Sequence, residues 1–323
     1  MRKTCLILLL LTSANLFAQI DTPGIVIDTV KILPTVVSDI PGLVADTTQK
    51  GSLLDGLETE DEPDFEQNTF KGTRVINSQS IEMLGKANMD YRISHRFGTL
   101  DQGAYDLYGM DIAYQRMSFT FGLTDLLNIE IGRSSFEKMY DGTIKWKVMR
   151  QAKGDKKRPL SIVYVGNMAV KTLKNTNPSY APYYFSNRLY YTHQVLIARK
   201  FNEKLSVQLM PGIVHRNFID SSKYKNTVIN IGAAVRYKLT RKFAITSEYF
   251  YVLPNQISSF TYHNSFSVGC DIETGGHVFQ LHFTNSTSMN EKGFIAETSN
   301  SWMKNQIHFG FNISRVFYIG RNE

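Results

Sequence analysis

Charged side chains recur at every second position in several segments of this sequence. In the clearest segment, 89–97, Asp90, Arg92 and Arg96 share one parity, and the other parity is apolar or aromatic except for His95. Because successive side chains of a β-strand point to opposite faces, we expect a strand with one apolar and one charged face. Such a charged face can select ions or can pair its own charges.

The same parity rule places ten candidate functional residues on faces that point away from the apolar side. They are Asp90, Arg92, Arg96, Glu130, Lys145, Lys147, Arg236, Glu248, His282 and His308. One hypothesis is a selectivity constriction, in which rings of charge inside a barrel decide which ions pass. The other is a salt-bridged plug that holds a narrow barrel rigid. Burying its charged side chains costs free energy unless the charges are paired. The sequence leaves both hypotheses open.

A lipid hydrolase would need a serine activated by a histidine that a third polar group orients. His193 and His215 fall on neighbouring predicted strands, and Asn217 follows two residues beyond the second. No serine stands in a nucleophile motif beside them, and their parity groups them with apolar residues that face lipid. We therefore predict no catalytic residues and interpret both histidines as interfacial.

The seven histidines show no metal-ligand spacing. His277 and His282 fall on opposite faces of one predicted strand, and a lumenal pair of His282 and His308 would not complete a zinc site. The sequence therefore predicts no metal and no cofactor. Cys270, the one cysteine outside the N-terminal segment, shares parity with apolar residues and is predicted to face lipid.

Twelve candidate strands carry these residues. They lie near 88–97, 113–123, 127–134, 142–150, 160–171, 186–201, 204–218, 227–239, 243–253, 263–273, 277–285 and 306–318. Short turns alternate with long polar loops, as in outer-membrane barrels, and most segments reach the roughly 9–11 residues that a tilted membrane strand needs. The sequence therefore predicts an all-β fold, a transmembrane antiparallel β-barrel of about twelve strands with both termini in the periplasm.

Pro211 and Gly212 interrupt the long predicted strand 204–218. Every strand of a closed barrel is paired on both sides, so proline there removes a ladder hydrogen bond. We expect a bulge or bend at this point, or a strand divided in two.

The N-terminal 66 residues differ in kind from the barrel. Residues 1–18 form a predicted signal peptide, with Arg2 and Lys3 before an apolar stretch. With the predicted barrel, this export signal predicts that the protein is located in the outer membrane of a Gram-negative bacterium. Residues 19–66 are predicted to be a disordered periplasmic tail, because 20–66 holds eleven acidic residues against two lysines. The favoured interpretation of this tail is a plain linker, and the alternative is that residues 20–66 dock a periplasmic protein partner, with the apolar piece 25–37 adding as a strand to the edge of the partner's sheet. The predicted barrel domain is 67–323.

The barrel region is basic, with 32 Lys or Arg against 18 Asp or Glu. These positive charges are scattered over strands and turns without a nucleic-acid-binding motif, so we predict no nucleic-acid partner. The predicted partners are outer-membrane lipid and lipopolysaccharide, whose anionic groups attract basic surfaces.

Four motifs carry a resemblance to a known family. They are Phe70-Lys71-Gly72-Thr73-Arg74-Val75-Ile76-Asn77, Tyr91-Arg92-Ile93-Ser94-His95-Arg96-Phe97-Gly98, Gly132-Arg133-Ser134-Ser135-Phe136-Glu137-Lys138 and Tyr191-Thr192-His193-Gln194. Together they resemble an uncharacterised outer-membrane β-barrel family of Bacteroidota, a domain of unknown function, over roughly residues 66–318. The resemblance implies an outer-membrane barrel and brings no established substrate, cofactor or catalytic residue.

Three functions remain open at this stage. The first is a narrow channel for small solutes with a charged lumen. The second is a closed structural or interaction barrel that docks periplasmic partners through its acidic tail. The third is an outer-membrane lipid hydrolase.

Overall fold

A computed structural model describes residues 64–154, 157–174, 184–219, 225–257 and 261–320. The predicted signal peptide and nearly all of the predicted tail lie outside these residues. The described part is a closed barrel in which each strand pairs antiparallel with the next and the last pairs with the first. The strands are β1 (Asn88–Thr99), β2 (Ala113–Gly122), β3 (Leu127–Ser134), β4 (Met139–Met149), β5 (Ser161–Lys171), β6 (Leu189–Lys200), β7 (Leu205–Arg216), β8 (Thr227–Lys238), β9 (Phe243–Val252), β10 (Ser265–Thr274), β11 (His277–Thr284) and β12 (His308–Tyr318).

The predicted fold class is confirmed, and every predicted strand matches an observed one to within three residues at each end. The remaining elements are one α-helix, short 3-10 turns and a pair of two-residue strands. They are α1 (Glu291–Ala296), the 3-10 turns Leu100–Gln102, Leu107–Gly109, Phe136–Lys138, Phe185–Arg188 and Trp302–Lys304, and the paired strands Asp64–Phe65 and Ala152–Lys153. Within the described ranges, none of the helices has the length and apolar character needed to cross a membrane.

The bulge or break predicted at Pro211 is wrong. β7 runs unbroken through Pro211 and keeps one register against β8, where Pro211 faces Ile231. Against β6 the pairing skips Met210 and Pro211 and resumes in the same register at Leu209, so the ladder is interrupted without an inserted residue. Register shifts occur elsewhere, near His308 between β12 and β1 and near Met149 between β4 and β5.

The two ends of the barrel differ. One end, here called the turn end, carries the short connections 123–126, 201–204, 239–242 and 275–276 together with residues 150–160. The other, the loop end, carries the longer connections, including 100–112 and 285–307. The outer wall between them is apolar, since Ile131, Ile144 and Trp146 are all more than half exposed. Cys270 lies on this outer parity beside Ile245 and Leu281, where it was expected.

The inner face of the wall has a charged part and an apolar part. Charged side chains concentrate on β1–β4, namely Asp90, Arg92, Arg96, Arg116, Glu130, Asp141 and Lys145. Apolar side chains line β5–β9, namely Val163, Val165, Leu196, Ala198, Met210, Val214, Val228, Ala234, Phe250 and Val252. An apolar interior surface is buried favourably only against other apolar groups, so this part of the wall requires a filling.

Residues 66–86, here called the plug segment, fill the interior from the turn end. The chain enters where Glu66 meets Lys200 and leaves where the Lys86 amide donates to Asp125. Between these points it reverses, with Arg74 bridged to Gln79 as in an antiparallel hairpin. The plug segment therefore enters and leaves by the same end of the barrel.

Residues 285–307, here called the cap loop, fold into the barrel from the loop end. The Asn290 side chain caps α1 by accepting from the Gly293 amide at 3.0 Å, and every residue of α1 is buried. Phe294 packs against Phe250 of β9 with ring centroids 5.1 Å apart. Phe294 and Ile295 join Phe70 and Ile76 of the plug segment in one apolar cluster with the wall. The barrel thus encloses a core like that of a soluble domain.

The junction between plug segment and wall depends on a glycine. A Cβ at Gly122 would lie 2.1 Å from the Gly85 oxygen and 2.9 Å from the Leu84 oxygen. Because backbone oxygens cannot rotate away, we expect Gly122→Ala to lower the free energy of unfolding by about 1–3 kcal/mol. Gly142→Ala is the matched control, since its Cβ would meet only the Glu130 oxygen at 4.0 Å. Urea unfolding followed by tryptophan fluorescence measures both, and equal midpoints for the two variants would contradict this packing.

Candidate lumenal site

The tip of the plug segment is held by one carboxylate of the wall. Glu248 on β9 accepts hydrogen bonds from the backbone amides of Asn77 at 3.0 Å and Ser78 at 3.1 Å. It also accepts from the Ser78 hydroxyl at 2.7 Å and from the Ile76 amide at 3.4 Å. Hydrogen bonds to an ionised group are stronger than neutral ones, and these converge where water is excluded. Glu248 is therefore the anchor of the hairpin tip.

Arg96 on β1 joins the wall to both inserted segments. Its guanidinium donates to the Asn77 side-chain oxygen at 2.6 Å, and to the Ser286 and Ser288 carbonyls of the cap loop at 2.6 and 2.8 Å. Arg96 is 1% exposed, and His282 lies 3.2 Å from it on β11. The planar fork of arginine suits this role, because its donors can reach several acceptors at once.

An ion-pair network crosses the interior from the wall through the plug segment to the cap loop. Arg74 of the plug segment pairs with Glu130 of β3 at 2.9 Å and with Glu291 of α1 at 3.0 Å. Arg116 of β2 pairs with the same Glu130 at 2.7 Å and with Asp141 of β4. All five side chains are at most 2% exposed, so each needs the others to offset its loss of hydration.

The other candidate charges on β1 and β4 lie nearer the turn end and also contact the plug segment. Asp90 accepts from the Thr73 hydroxyl at 3.0 Å. Lys145 donates to the backbone carbonyls of Thr73 at 3.2 Å and Glu82 at 2.8 Å. Arg92 donates to Gln280 at 3.1 Å, and Gln280 in turn donates to the Val75 carbonyl at 2.6 Å.

The remaining candidates contact the wall or the cap loop. Arg236 lies 3.6 Å from Asp271, and His308 bonds with Asn300 at 2.8 Å and the Phe97 carbonyl at 2.8 Å. Lys147 is half-buried beside a cavity of about 250 Å³ at the turn end, which Glu66 and Glu82 also line. All ten candidates thus lie on the inner parity, and most bind an inserted segment rather than facing an open ring.

Five partners in this site were not among the sequence candidates. They are Arg74, Asn77, Arg116, Asp141 and Glu291. Arg116 lies on the inner parity of the predicted strand 113–123, so the parity rule could have found it, whereas Asp141 precedes the predicted strand 142–150 by one residue. Arg74, Asn77 and Glu291 lie outside the strands, where no period-2 pattern marks a buried side chain.

The cap loop is fastened to the loop end by a second group of charges. Lys292 of α1 is 1% exposed and pairs with Glu137 at 2.7 Å and Glu297 at 2.5 Å. Glu137 also pairs with Lys171 of β5, and the Lys292 ammonium lies 4.4 Å from the Tyr190 ring centre. Burial opposes the ionisation of Glu137, but Lys292 and Lys171 outweigh it and hold the pKa of this carboxyl below its ordinary value.

The two histidines considered for hydrolysis lie on the outer parity, as predicted. His193 bonds with the Tyr164 hydroxyl at 2.6 Å, and His215 bonds with the Thr227 hydroxyl at 2.8 Å. Neither is hydrogen-bonded to a serine among the residues that the structure describes. In that same part of the chain, no three His, Cys, Asp or Glu side chains group as metal ligands.

Residues 70–317 match the family described as "Membrane bound beta barrel domain (DUF5777)". This chain belongs to that family. The match bears out the resemblance to an uncharacterised membrane-barrel family, while the Bacteroidota source stays a prediction. With its closed twelve-strand wall, the protein is an outer-membrane β-barrel. No curated protein sequence shows significant similarity to it.

Several solved barrels are similar to this chain at a low level. The KdgM porin is 9% identical, with 71% of this chain and 99% of the porin covered and a TM-score of 0.43. Omp33 of Acinetobacter baumannii is 7% identical, with 72% and 99% covered and a TM-score of 0.38. Outer membrane phospholipase A of Escherichia coli is 12% identical, with 70% and 92% covered and a TM-score of 0.41. Nothing about function follows from likeness at this level.

Removing the charge of the tip anchor should loosen the hairpin. Glu248→Gln keeps the size of the side chain but replaces an ionised acceptor, whose hydrogen bonds each contribute about 1.5–3 kcal/mol. We expect the Asn77 and Ser78 amides to exchange with deuterium at least about tenfold faster. Glu273→Gln is the control, because its ion pair with Lys71 is partly exposed and contributes little. Unchanged exchange in Glu248→Gln would show that the tip is held by other contacts.

The cap loop should loosen in acid. The lowered pKa of Glu137 means that its stabilising effect is complete above the ordinary carboxyl pKa and is lost as the pH falls through the lowered value. After correction for the intrinsic pH dependence of hydrogen–deuterium exchange, we expect the backbone amides of α1 to exchange faster at pH 3 than at pH 7. In Glu137→Gln the exchange should already be fast at pH 7 and depend less on pH. Equal pH dependence in both proteins would exclude Glu137 as the titrating group.

Proposed function

We propose that this protein is an outer-membrane channel for small solutes that its plug segment closes at rest. One observation carries this proposal: the segment that fills the lumen is a hairpin that enters and leaves by the turn end. The wall closes on itself through β12 and β1 without any strand from the plug segment. The hairpin can therefore withdraw without breaking the barrel.

The chemistry of the plugged interior supports a reversible closure. The plug tip is held chiefly by hydrogen bonds and ion pairs to Glu248, Arg96 and Glu130, groups that water can also solvate. If the hairpin withdraws, these same wall charges face a water-filled lumen and become the selectivity groups of the open state. In this proposal the turn end, with both termini, faces the periplasm, as turn ends of outer-membrane barrels do.

The apolar cluster favours a second candidate, a permanently closed barrel that serves as a platform for other proteins. Phe70 and Ile76 are at most 2% exposed and pack with Phe294 and Ile295 against the wall. Withdrawing the hairpin exposes such side chains, at roughly 1.5–3 kcal/mol for each one fully exposed. A closed barrel avoids that cost.

Planar-bilayer conductance separates the two candidates. We expect the full-length protein to be nearly silent, and a variant in which residues 72–80 are replaced by a short Gly-Ser linker to show discrete, larger steps. The linker keeps the chain connection to β1 while it removes the tip contacts with Glu248 and Arg96.

Lys71→Gln is the control, since it changes only a partly exposed ion pair at the turn end and should stay silent. Heat-modifiable gel mobility shows that each variant is folded and inserted. An inserted linker variant that stays silent would overturn the channel proposal and favour the closed platform. Full-length protein that conducts like the linker variant would show that the hairpin does not close the lumen.

A further inference from the structure

A polar cavity lies at the turn end, between the plug segment and the wall. Its volume is about 250 Å³, which is below the roughly 300–1,000 Å³ of sites for drug-sized ligands. The plug segment contributes Glu82 to its lining, and the wall and its turns contribute Asp125, Lys147 and Arg150. Charged groups of both signs thus surround a space that suits a small metabolite.

The two cations both reach the cavity because β4 is irregular at this point. Lys147 and Arg150 differ in parity, so a regular strand would point them to opposite faces. The register against β5 shifts between Lys147 and Met149, and such an irregularity re-aims side chains. The Arg150 guanidinium lies 4.8 Å from the ring centre of Phe65. Within the described ranges neither cation forms an ion pair, so both can bind an anionic group.

The two carboxylates are positioned by backbone amides of the plug segment. One oxygen of Glu82 accepts from the Phe70 amide at 3.0 Å, and one oxygen of Asp125 accepts from the Lys86 amide at 3.0 Å. Among the described residues, the second oxygen of each carboxylate has no hydrogen-bond donor. Each can therefore accept from a cationic group in the cavity.

The charges available to a ligand balance, with two positive and two negative groups. A third carboxylate of the cavity, Glu66, already pairs with Lys153 and Lys200. A ligand with a single charge is attracted by one pair of groups and repelled by the other, whereas a zwitterion complements both. Most of the remaining lining is apolar and suits a hydrocarbon side chain, namely Ile81, Met83, Leu84, Met149 and Val163.

We propose that this cavity binds a small zwitterion with an apolar side chain, of which an α-amino acid is the simplest. The ligand carboxylate binds Lys147 and Arg150, and the ligand ammonium binds Glu82 and Asp125. Because Glu82 belongs to the plug segment and Lys147 to the wall, a bound ligand joins the two and holds the base of the plug segment in place. The site is independent of whether the lumen conducts.

Isothermal titration calorimetry of the full-length protein in neutral detergent tests the ligand class. The three probes share one hydrocarbon side chain: L-leucine is a zwitterion, 4-methylpentanoate an anion, and leucine amide a cation at about pH 6.5, below the α-amino pKa of about 7.7–8.0. We expect L-leucine to bind at least about tenfold more tightly than either of the others, since each of them lacks one set of charge-assisted hydrogen bonds.

Substitutions of the lining residues test the assigned contacts. Lys147→Gln and Arg150→Gln should each weaken the binding of L-leucine at least about tenfold. Asp125→Asn should reduce the preference for L-leucine over 4-methylpentanoate, and its asparagine keeps an oxygen for the Lys86 amide. Lys204→Gln is the matched control, because Lys204 is an exposed cation of the same end that does not line the cavity, and it should bind like the parent protein. Heat-modifiable gel mobility shows that each variant is folded.

Hydrogen exchange locates the site independently. With L-leucine at ten times its dissociation constant, the amides of residues 82–85 should exchange about tenfold more slowly. Failure of L-leucine to bind would overturn the proposal, and so would equal binding of the three probes, which a merely apolar cavity would give. Tighter binding of 4-methylpentanoate than of L-leucine would assign an anion site instead. Binding that both Lys147→Gln and Arg150→Gln leave unchanged would place the ligand elsewhere and reject this cavity.

Discussion

Burial of charge in a narrow lumen is the constraint on which the rest of this structure depends. Glu248, Arg96 and Glu130 project into a space too small to hydrate them freely once any polypeptide enters it. Each is satisfied by a partner outside the wall: the hairpin tip, the cap loop and Arg74, respectively. Removing one partner of such a pair leaves a buried charge, which costs far more than the pair contributes. The inserted segments and the wall therefore stabilise one another.

The two parts of the interior constrain motion differently. The charged part, on β1–β4, and Glu248 of β9 bind the hairpin through contacts that water can replace. The apolar part, on β5–β9, holds Phe294 and Ile295 of the cap loop and also Phe70 and Ile76 of the plug segment through burial, which water opposes. Separation of the plug tip therefore exchanges polar contacts with water but must also expose Ile76. The ion pairs of Lys292 with Glu137 and Glu297 further stabilise the buried position of the cap loop.

The wall was predictable from sequence because a membrane imposes a strict period of two on each strand. That period placed Asp90, Glu130 and Glu248 on the inner face and His193 and Cys270 on the outer face. It fails outside the strands, where Arg74, Asn77 and Glu291 are buried by tertiary contacts that no local pattern encodes. Consequently the sequence found the charges of the wall but could not choose between a constriction and a plug. The bulge or break predicted at Pro211 was wrong because local sequence does not show how strongly the neighbouring strands hold the register. The missing N–H of proline removes a hydrogen bond, but the rest of the ladder keeps the register.

The central claim is that the hairpin tip occupies the lumen of the membrane-inserted protein. The side-chain nitrogen Nδ2 of Asn77 donates to the Ser267 hydroxyl at 3.0 Å, so cysteines at these two positions test the claim directly. In lipid vesicles, with Cys5→Ser and Cys270→Ser to remove both native cysteines, oxidation of Asn77→Cys with Ser267→Cys should form the disulfide in most molecules. Asn77→Cys with Ser247→Cys should form none, because Ser247 lies on the outer parity of its strand. An inserted barrel in which the first pair fails to cross-link would contradict the claim.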